Sequence, residues 1–415
     1  MKKLLLLFCI AGLLGCKNRH EPVVIQKVAG ERIEIGFVDS VYSNILHEQR
    51  KVWIYIPNSF SYSVFKGQQH YPVVYLLDGD THFHAFTGIL EHLSEENGNM
   101  ICPDMIVVGI LNTDRTRDLT PTRDSTTDPH SGGADRFTEF IEKELILHID
   151  SLYHPSPFRM LIGHSYGGLT VINTLLHHAE PFNAFVAIDP SLSWNNHVML
   201  KQTDSVLATA DFKSKKLFIG VANTMSADMT LRRVQQDTSA ENRHIRSILA
   251  FVNDLKENAV KSLNWDYNYY EDEDHYSVPI RASYDALHFI FRDYAFTAYN
   301  ELFDTSITTD SAKQIVASHF KYASCKLGFE MQPPEHFLNA LANMFQKEGL
   351  TERAKAFLQW NLNYYPNSCN ACECMGDFCS KQNNNAEALE FYKKAAALNA
   401  TEAVNEKIRQ LIKSK

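Results

Sequence analysis

Beyond its first fourteen residues, this 415-residue chain has no apolar run that approaches about 18 residues. Membrane-spanning helices are therefore not expected in its body. An excess of positive charge is missing too: 40 Lys and Arg stand against 49 Asp and Glu, for a formal charge of −9. Without a basic stripe there is no electrostatic footprint for nucleic acid, and none is expected as a partner. No long tract is poor in apolar residues. With 45% hydrophobic and 21% charged residues, the chain can bury a sizeable core, which argues against extended disorder. Cysteine is sparse in the body, where Cys102 and Cys325 stand alone.

The N-terminus departs from this pattern. Lys2 and Lys3 precede an apolar run over residues 4–14, broken by Gly12 and followed by Gly15-Cys16. The run is too short to span a bilayer and has the layout of a signal peptide. Leu13-Leu14-Gly15-Cys16 resembles a bacterial lipobox. That resemblance implies cleavage before Cys16 and a lipid on its thiol. Residues 1–16 are thus expected to be a lipoprotein signal, with the mature protein in the bacterial cell envelope, on the periplasmic face or the surface. Acyl chains contribute about 0.8 kcal/mol per buried methylene to such an anchor.

From about 25 to 300 the pattern predicts an α/β domain. Residues 32–42 and 51–57 alternate like paired antiparallel strands. Segments 71–77, 105–111, 159–163, 185–188, 216–221 and 265–270 read as buried strands. Helical patterns cover 135–152, 168–178, 242–257 and 283–294. Strands buried on both faces and separated by helices imply a mostly parallel central sheet flanked by helices. Over 305–415 the pattern turns all-helical. Two blocks of 34 residues, 335–368 and 369–402, align without a gap: Leu341 with Met375, Phe345 with Cys379, Ala354 with Ala388, Leu358 with Tyr392. This spacing resembles the tetratricopeptide repeat and implies a surface for a protein partner. Cys369, Cys372, Cys374 and Cys379 fall on one helix of the second block; Cys372 and Cys379 occupy its core positions, so packing is favoured over metal binding. No metal or cofactor is called for.

The sharpest chemical signal is Gly163-His164-Ser165-Tyr166-Gly167-Gly168. It joins an apolar strand to a helix, the setting of a G-x-S-x-G nucleophile elbow. Small residues are needed because the serine sits on a tight, strained turn. Ser165 is the expected nucleophile. The following helix aims free N–H groups at a developing oxyanion, so the Tyr166 N–H is one expected donor and the Asp80 N–H, in the loop 77–80, the other. A serine hydroxyl needs a base. His275 follows the last strand, in the order serine, acid, histidine, inside an acidic loop that favours its imidazolium. The acid is less clear: Asp228 is favoured, with Glu273, Asp189 or no acid as alternatives.

Taken together, LLDGD ending at Asp80, IVVGILNTDRTRDLTPT (106–122), GGADRFTEFIEKEL (132–145), GHSYGG, AIDPSLSW (187–194) and EDHYSVP (273–279) resemble the putative esterase family of α/β-hydrolase enzymes, the enterochelin-esterase branch above all. The resemblance covers about 265 residues. It implies an α/β-hydrolase fold and a serine carboxylic-ester hydrolase with Ser165 as nucleophile and His275 as base. The implied substrate is a small ester, a siderophore lactone or a carbohydrate acyl ester. The helical tail departs from the family's single-domain form. Arg115, Arg117 and Asp118 read as internal ion pairs or as an anchor for an anionic or catecholate substrate. Trp194 and His197 read as an acyl-pocket wall or a lid. Two other functions stay open: an acyltransferase on the same fold, and an idle scaffold that binds a protein through its repeats.

Overall fold

The computed structural model describes residues 33–63, 70–94, 98–258 and 262–413. The leader and Cys16 lie outside the described residues. Eight strands form one sheet: β1 (Phe37–Ser43), β2 (Glu48–Tyr55), β3 (Val73–Leu76), β4 (Ile106–Ile110), β5 (Arg159–His164), β6 (Ala184–Ile188), β7 (Lys216–Ala222) and β8 (Asn264–Tyr270). Their order is β1-β2-β4-β3-β5-β6-β7-β8. The β1–β2 and β2–β4 pairs are antiparallel, and every other pair is parallel. This is the mostly parallel sheet expected of an α/β-hydrolase fold.

The parallel strands β3, β4 and β6 are buried along their whole length because both faces are covered. Successive side chains feed opposite faces: Val74 and Leu76 enter one apolar cluster, Val73, Tyr75 and Leu77 the other. Four helices carry the argument below: α1 (Gly79–Leu93), α2 (Tyr166–His177), α3 (Arg243–Glu257) and α4 (Val278–Ile290). Helices α1 and α4 cover the first face, through Phe83, Phe86 and Leu90 and through Ala282 and Ala286. Helices α2 and α3 cover the second. In α3 the spacing of Ile245, Ile248, Leu249, Val252 and Leu255 makes a continuous buried stripe.

Two elements differ from expectation. The segment read as a loop at 77–80 is a sharp turn at Asp78 (φ 52°) straight into α1. Helix α4 begins at Val278, five residues earlier than the periodicity indicated, with Pro279 in its first turn, where the missing N–H costs nothing.

The tail consists of α5 (Thr309–Leu327), α6 (Glu335–Lys347), α7 (Thr351–Tyr364), α8 (Cys369–Lys381), α9 (Asn385–Leu398) and α10 (Glu402–Lys413). The α6–α7 and α8–α9 hairpins begin 34 residues apart. Leu341, Phe345, Ala354 and Leu358 are buried, as are Met375, Cys379, Ala388 and Tyr392 at the matching positions. Gly376 is required: a Cβ there would stand 2.6 Å from the Tyr392 ring. Cys372 and Cys379 pack inside this core, and burial pushes the Cys379 thiol up to about 11.

Tail and sheet share one apolar cluster. Phe158, just before β5, lies 5.5 Å from the ring of Phe291 and 5.6 Å from that of Phe329. Buried Arg353 donates to the carbonyls of Leu302, Asp304 and Ile307, tying α7 to the connecting segment. Among the described residues no helix is long and apolar enough to cross a membrane. Phe158→Ala should lower stability by about 3–5 kcal/mol. In urea titrations of that variant, sheet and tail signals are expected to shift together; a tail transition left in place would show that the shared cluster does not couple them.

Candidate active site

Strand β5 runs into Ser165, and α2 starts at the next residue. Ser165 has φ 59° and ψ −114°, a strained conformation for a residue with a side chain. The turn closes because Gly163 packs on backbone: a Cβ there would stand 2.5 Å from the Gly167 carbonyl. Ser165 Oγ lies 3.1 Å from His275 Nε2 and 3.2 Å from Ser191 Oγ. On its far side, His275 Nδ1 lies 2.6 Å from Asp189 Oδ2. With Nδ1 donating to that carboxylate, the neutral imidazole has Nε2 bare, facing the serine hydroxyl.

Asp189 corrects the favoured acid. It follows β6 directly, adopts φ 41°, and its N–H donates to the Gly220 carbonyl 2.8 Å away. Its Oδ1 accepts the Ala222 N–H at 3.0 Å. The carboxylate is thereby anchored between the ends of β6 and β7 and turned to the histidine. Asp228 is exposed, and its carbonyl accepts from Arg233. Among the described residues the carboxylate that meets His275 Nδ1 is that of Asp189. Glu273 pairs with Arg281, and Asp274 accepts the N–H groups of Tyr276 and Ser277, so the acidic loop spends these carboxylates on itself. Although burial alone would raise it, the Asp189 carboxyl is held well below the usual range by donors from His244 and His275.

Sequence reasoning assigned nothing to His244. From the first turn of α3 its Nε2 reaches Asp189 Oδ2 at 2.8 Å. No local motif marks it. Asp189, His244 and His275 hold ligand-type atoms within 4.8 Å of one another. The separations of 2.6 and 2.8 Å are those of N–H···O bonds.

The Tyr166 N–H opens α2 and the Asp80 N–H lies in the first turn of α1. Neither meets an acceptor among the described residues. The two helix starts are neighbours: a Cβ on Gly167 would lie 3.2 Å from Asp78 Oδ2. Arg115 donates to both Asp78 oxygens, at 2.6 and 2.9 Å, and lies over the Tyr166 ring. It thus braces this junction while remaining 36% exposed. Arg117 and Asp118 belong to a separate network with Glu48 and buried Arg50. Trp194 is buried, donates to the Thr122 carbonyl and packs edge-on against Tyr166. Among the described residues the partners of Ser165 Oγ are His275 and Ser191, not His197.

His164 packs at a tilt against His275, with ring centroids 4.5 Å apart, and its buried Nε2 has no partner among the described residues. Burial first, then the charges of His275 and His82, push it down to about 4. The unfolded chain therefore binds this proton more readily than the folded one, so stability is lost as pH falls below the unfolded value. Between pH 6.5 and 4 that loss should be on the order of 3 kcal/mol. Urea midpoints across this range should fall more steeply in the wild type than in His164→Gln; equal slopes would refute the assignment.

Comparison with known proteins agrees with this geometry. The model of the family described as "Putative esterase" matches residues 43–258. The chain is 34% identical over 151 residues to the ferri-bacillibactin esterase BesA of Bacillus subtilis, covering 32% of this chain and 52% of that protein. It therefore spans about half the length of that relative. It is 28% identical over 237 residues to a siderophore enterobactin esterase of Emericella nidulans, covering 49% of this chain and 77% of the other. Among solved structures it is similar to an IroE-like serine hydrolase from Shewanella oneidensis, with 30% identity, a TM-score of 0.66, and coverage of 79% of this chain and 99% of that one. With more than half the chain matched and the serine elbow inside the matched segment, the protein belongs to the putative esterase family.

Proposed function

We propose that this protein is a serine hydrolase of carboxylic esters. The observation that carries the reading is the unbroken chain of hydrogen bonds from Ser165 Oγ through His275 to buried Asp189. Ser165 Oγ attacks the ester carbonyl carbon and its proton passes to His275 Nε2. Asp189 holds the imidazole in the required tautomer and stabilises the imidazolium. The oxyanion accepts the N–H groups of Tyr166 and Asp80, each at the positive end of a helix. Collapse expels the alcohol, protonated by His275. A water, deprotonated by the same histidine, then releases the acid.

The relatives named as siderophore esterases favour an ester-linked siderophore as substrate. Half-exposed Arg115 beside the elbow suits the anionic oxygens of such a molecule. The N-terminal signal and Cys16 favour anchoring in the cell envelope, and the paired hairpins of the tail offer a surface for a protein partner.

A fluorophosphonate probe should label the wild type and not Ser165→Ala. A folded wild type that resists the probe would refute the reading. On a chromogenic ester, Asp189→Asn should lower kcat by about 10³–10⁴-fold, because the histidine loses its tautomer. Asp228→Asn should stay near the wild-type rate; the reverse order would restore Asp228 as the acid.

A further inference from the structure

One oxygen of Asp189 serves two histidines. His244 Nε2 stands 2.8 Å from Oδ2 and His275 Nδ1 stands 2.6 Å from the same atom. The other oxygen is taken by the Ala222 N–H. The two imidazoles meet edge to face, with centroids 5.2 Å apart at 89°. Asp189 is 0% exposed, so water does not compete for its charge. The reaction as written requires only His275 on this carboxylate. The second imidazole is unexplained by it.

We propose that His244 is a positioning residue for Asp189 and His275. Its N–H holds the carboxylate in line and draws off part of the negative charge that His275 would otherwise face alone. This rests on the hydrolase reading above. A carboxylate that already accepts two other N–H groups stabilises an imidazolium less than one with its charge undivided.

The surroundings leave Asp189 as the anion in contact with His275. From β5, His164 faces His275 and is kept neutral by burial. From α1, His82 lies beyond it, its ring 5.4 Å from that of His164, and is held low by burial. From the loop of His275 itself, the Tyr276 ring packs against it, while Asp274 is turned to the backbone N–H groups of Tyr276 and Ser277. On α3, Arg243 and Arg246 flank His244, and Arg246 is paired with Asp237. Asp189 is thus the carboxylate whose charge the two imidazoles divide.

The test uses the rate at which a fluorophosphonate labels Ser165, measured against pH, which needs no knowledge of the natural substrate. In His244→Phe the donor is gone. The acid limb of the rate profile should move up by about half a pH unit or more. His244→Gln restores an N–H, and the limb should move back toward the wild type. A Phe variant whose limb coincides with the wild type, or a Gln variant that fails to restore it, would overturn the proposal. Proton NMR of the wild type gives a second reading that does not depend on turnover. Low-field imidazole N–H signals are expected from both His275 and His244, with one lost in His244→Gln; a low-field spectrum unchanged by that substitution would exclude the shared carboxylate. If the wild type does not label at all, the hydrolase reading fails, while the loss of that signal in His244→Gln still decides the hydrogen bonding.

Discussion

Asp189 holds its charge where water does not reach, and three N–H groups converge to make that tolerable. The donors come from three separate places: the end of β7, the first turn of α3 and the loop after β8. An ionised carboxylate buried without them would take up a proton and lose its hold on the imidazole. The site therefore depends on the pairing of β6 with β7, on the seating of α3 against the second face of the sheet, and on the loop that returns His275 to Ser165. The left-handed backbone at Asp189 is part of the same arrangement, since its N–H is fastened to Gly220 while its side chain turns toward Ala222.

The serine is held by a different kind of constraint. Around it the limiting quantity is space. Gly163 lies on Gly167, Gly167 beside Asp78, and Gly168 against the carbonyl of Ile188 and Pro190. Larger residues at these points would part the strand from its helix. The close approach brings the first turns of α1 and α2 together, so two sets of unpaired N–H groups open on one side of the serine. The Asp78–Arg115 ion pair braces that junction, and the Arg115 guanidinium lies over Tyr166.

The tail is built into the core of the α/β domain. It joins the cluster on the sheet face already occupied by α1 and α4, with Phe158, Phe291 and Phe329 at the seam. Two hairpins alone have little apolar surface to stack on, and the sheet supplies the missing neighbour.

Much of this was readable along the chain, because the signals are local. Continuous apolar runs marked the buried strands, the GHSYGG turn needed only its own small residues to define the elbow, and the 34-residue spacing placed the tail helices. His275 was found from its order after the last strand. Helix α1 was missed because Asp78-Gly79-Asp80 reads as a loop until the left-handed turn at Asp78 is seen. The acid was misassigned for a related reason. A carboxylate's partner is chosen by where distant segments meet, and Asp189 and His275 are separated by 86 residues. Asp189 follows β6 directly while Asp228 comes six residues after β7, and chain order alone favoured the later loop. The sequence by itself determined the fold class and the elbow that seats Ser165, since periodicity and turn sterics act between residues close in the chain. Only the tertiary structure decided for Asp189 and brought His244 to it, because burial and hydrogen-bond geometry exist only once the sheet and its helices are packed.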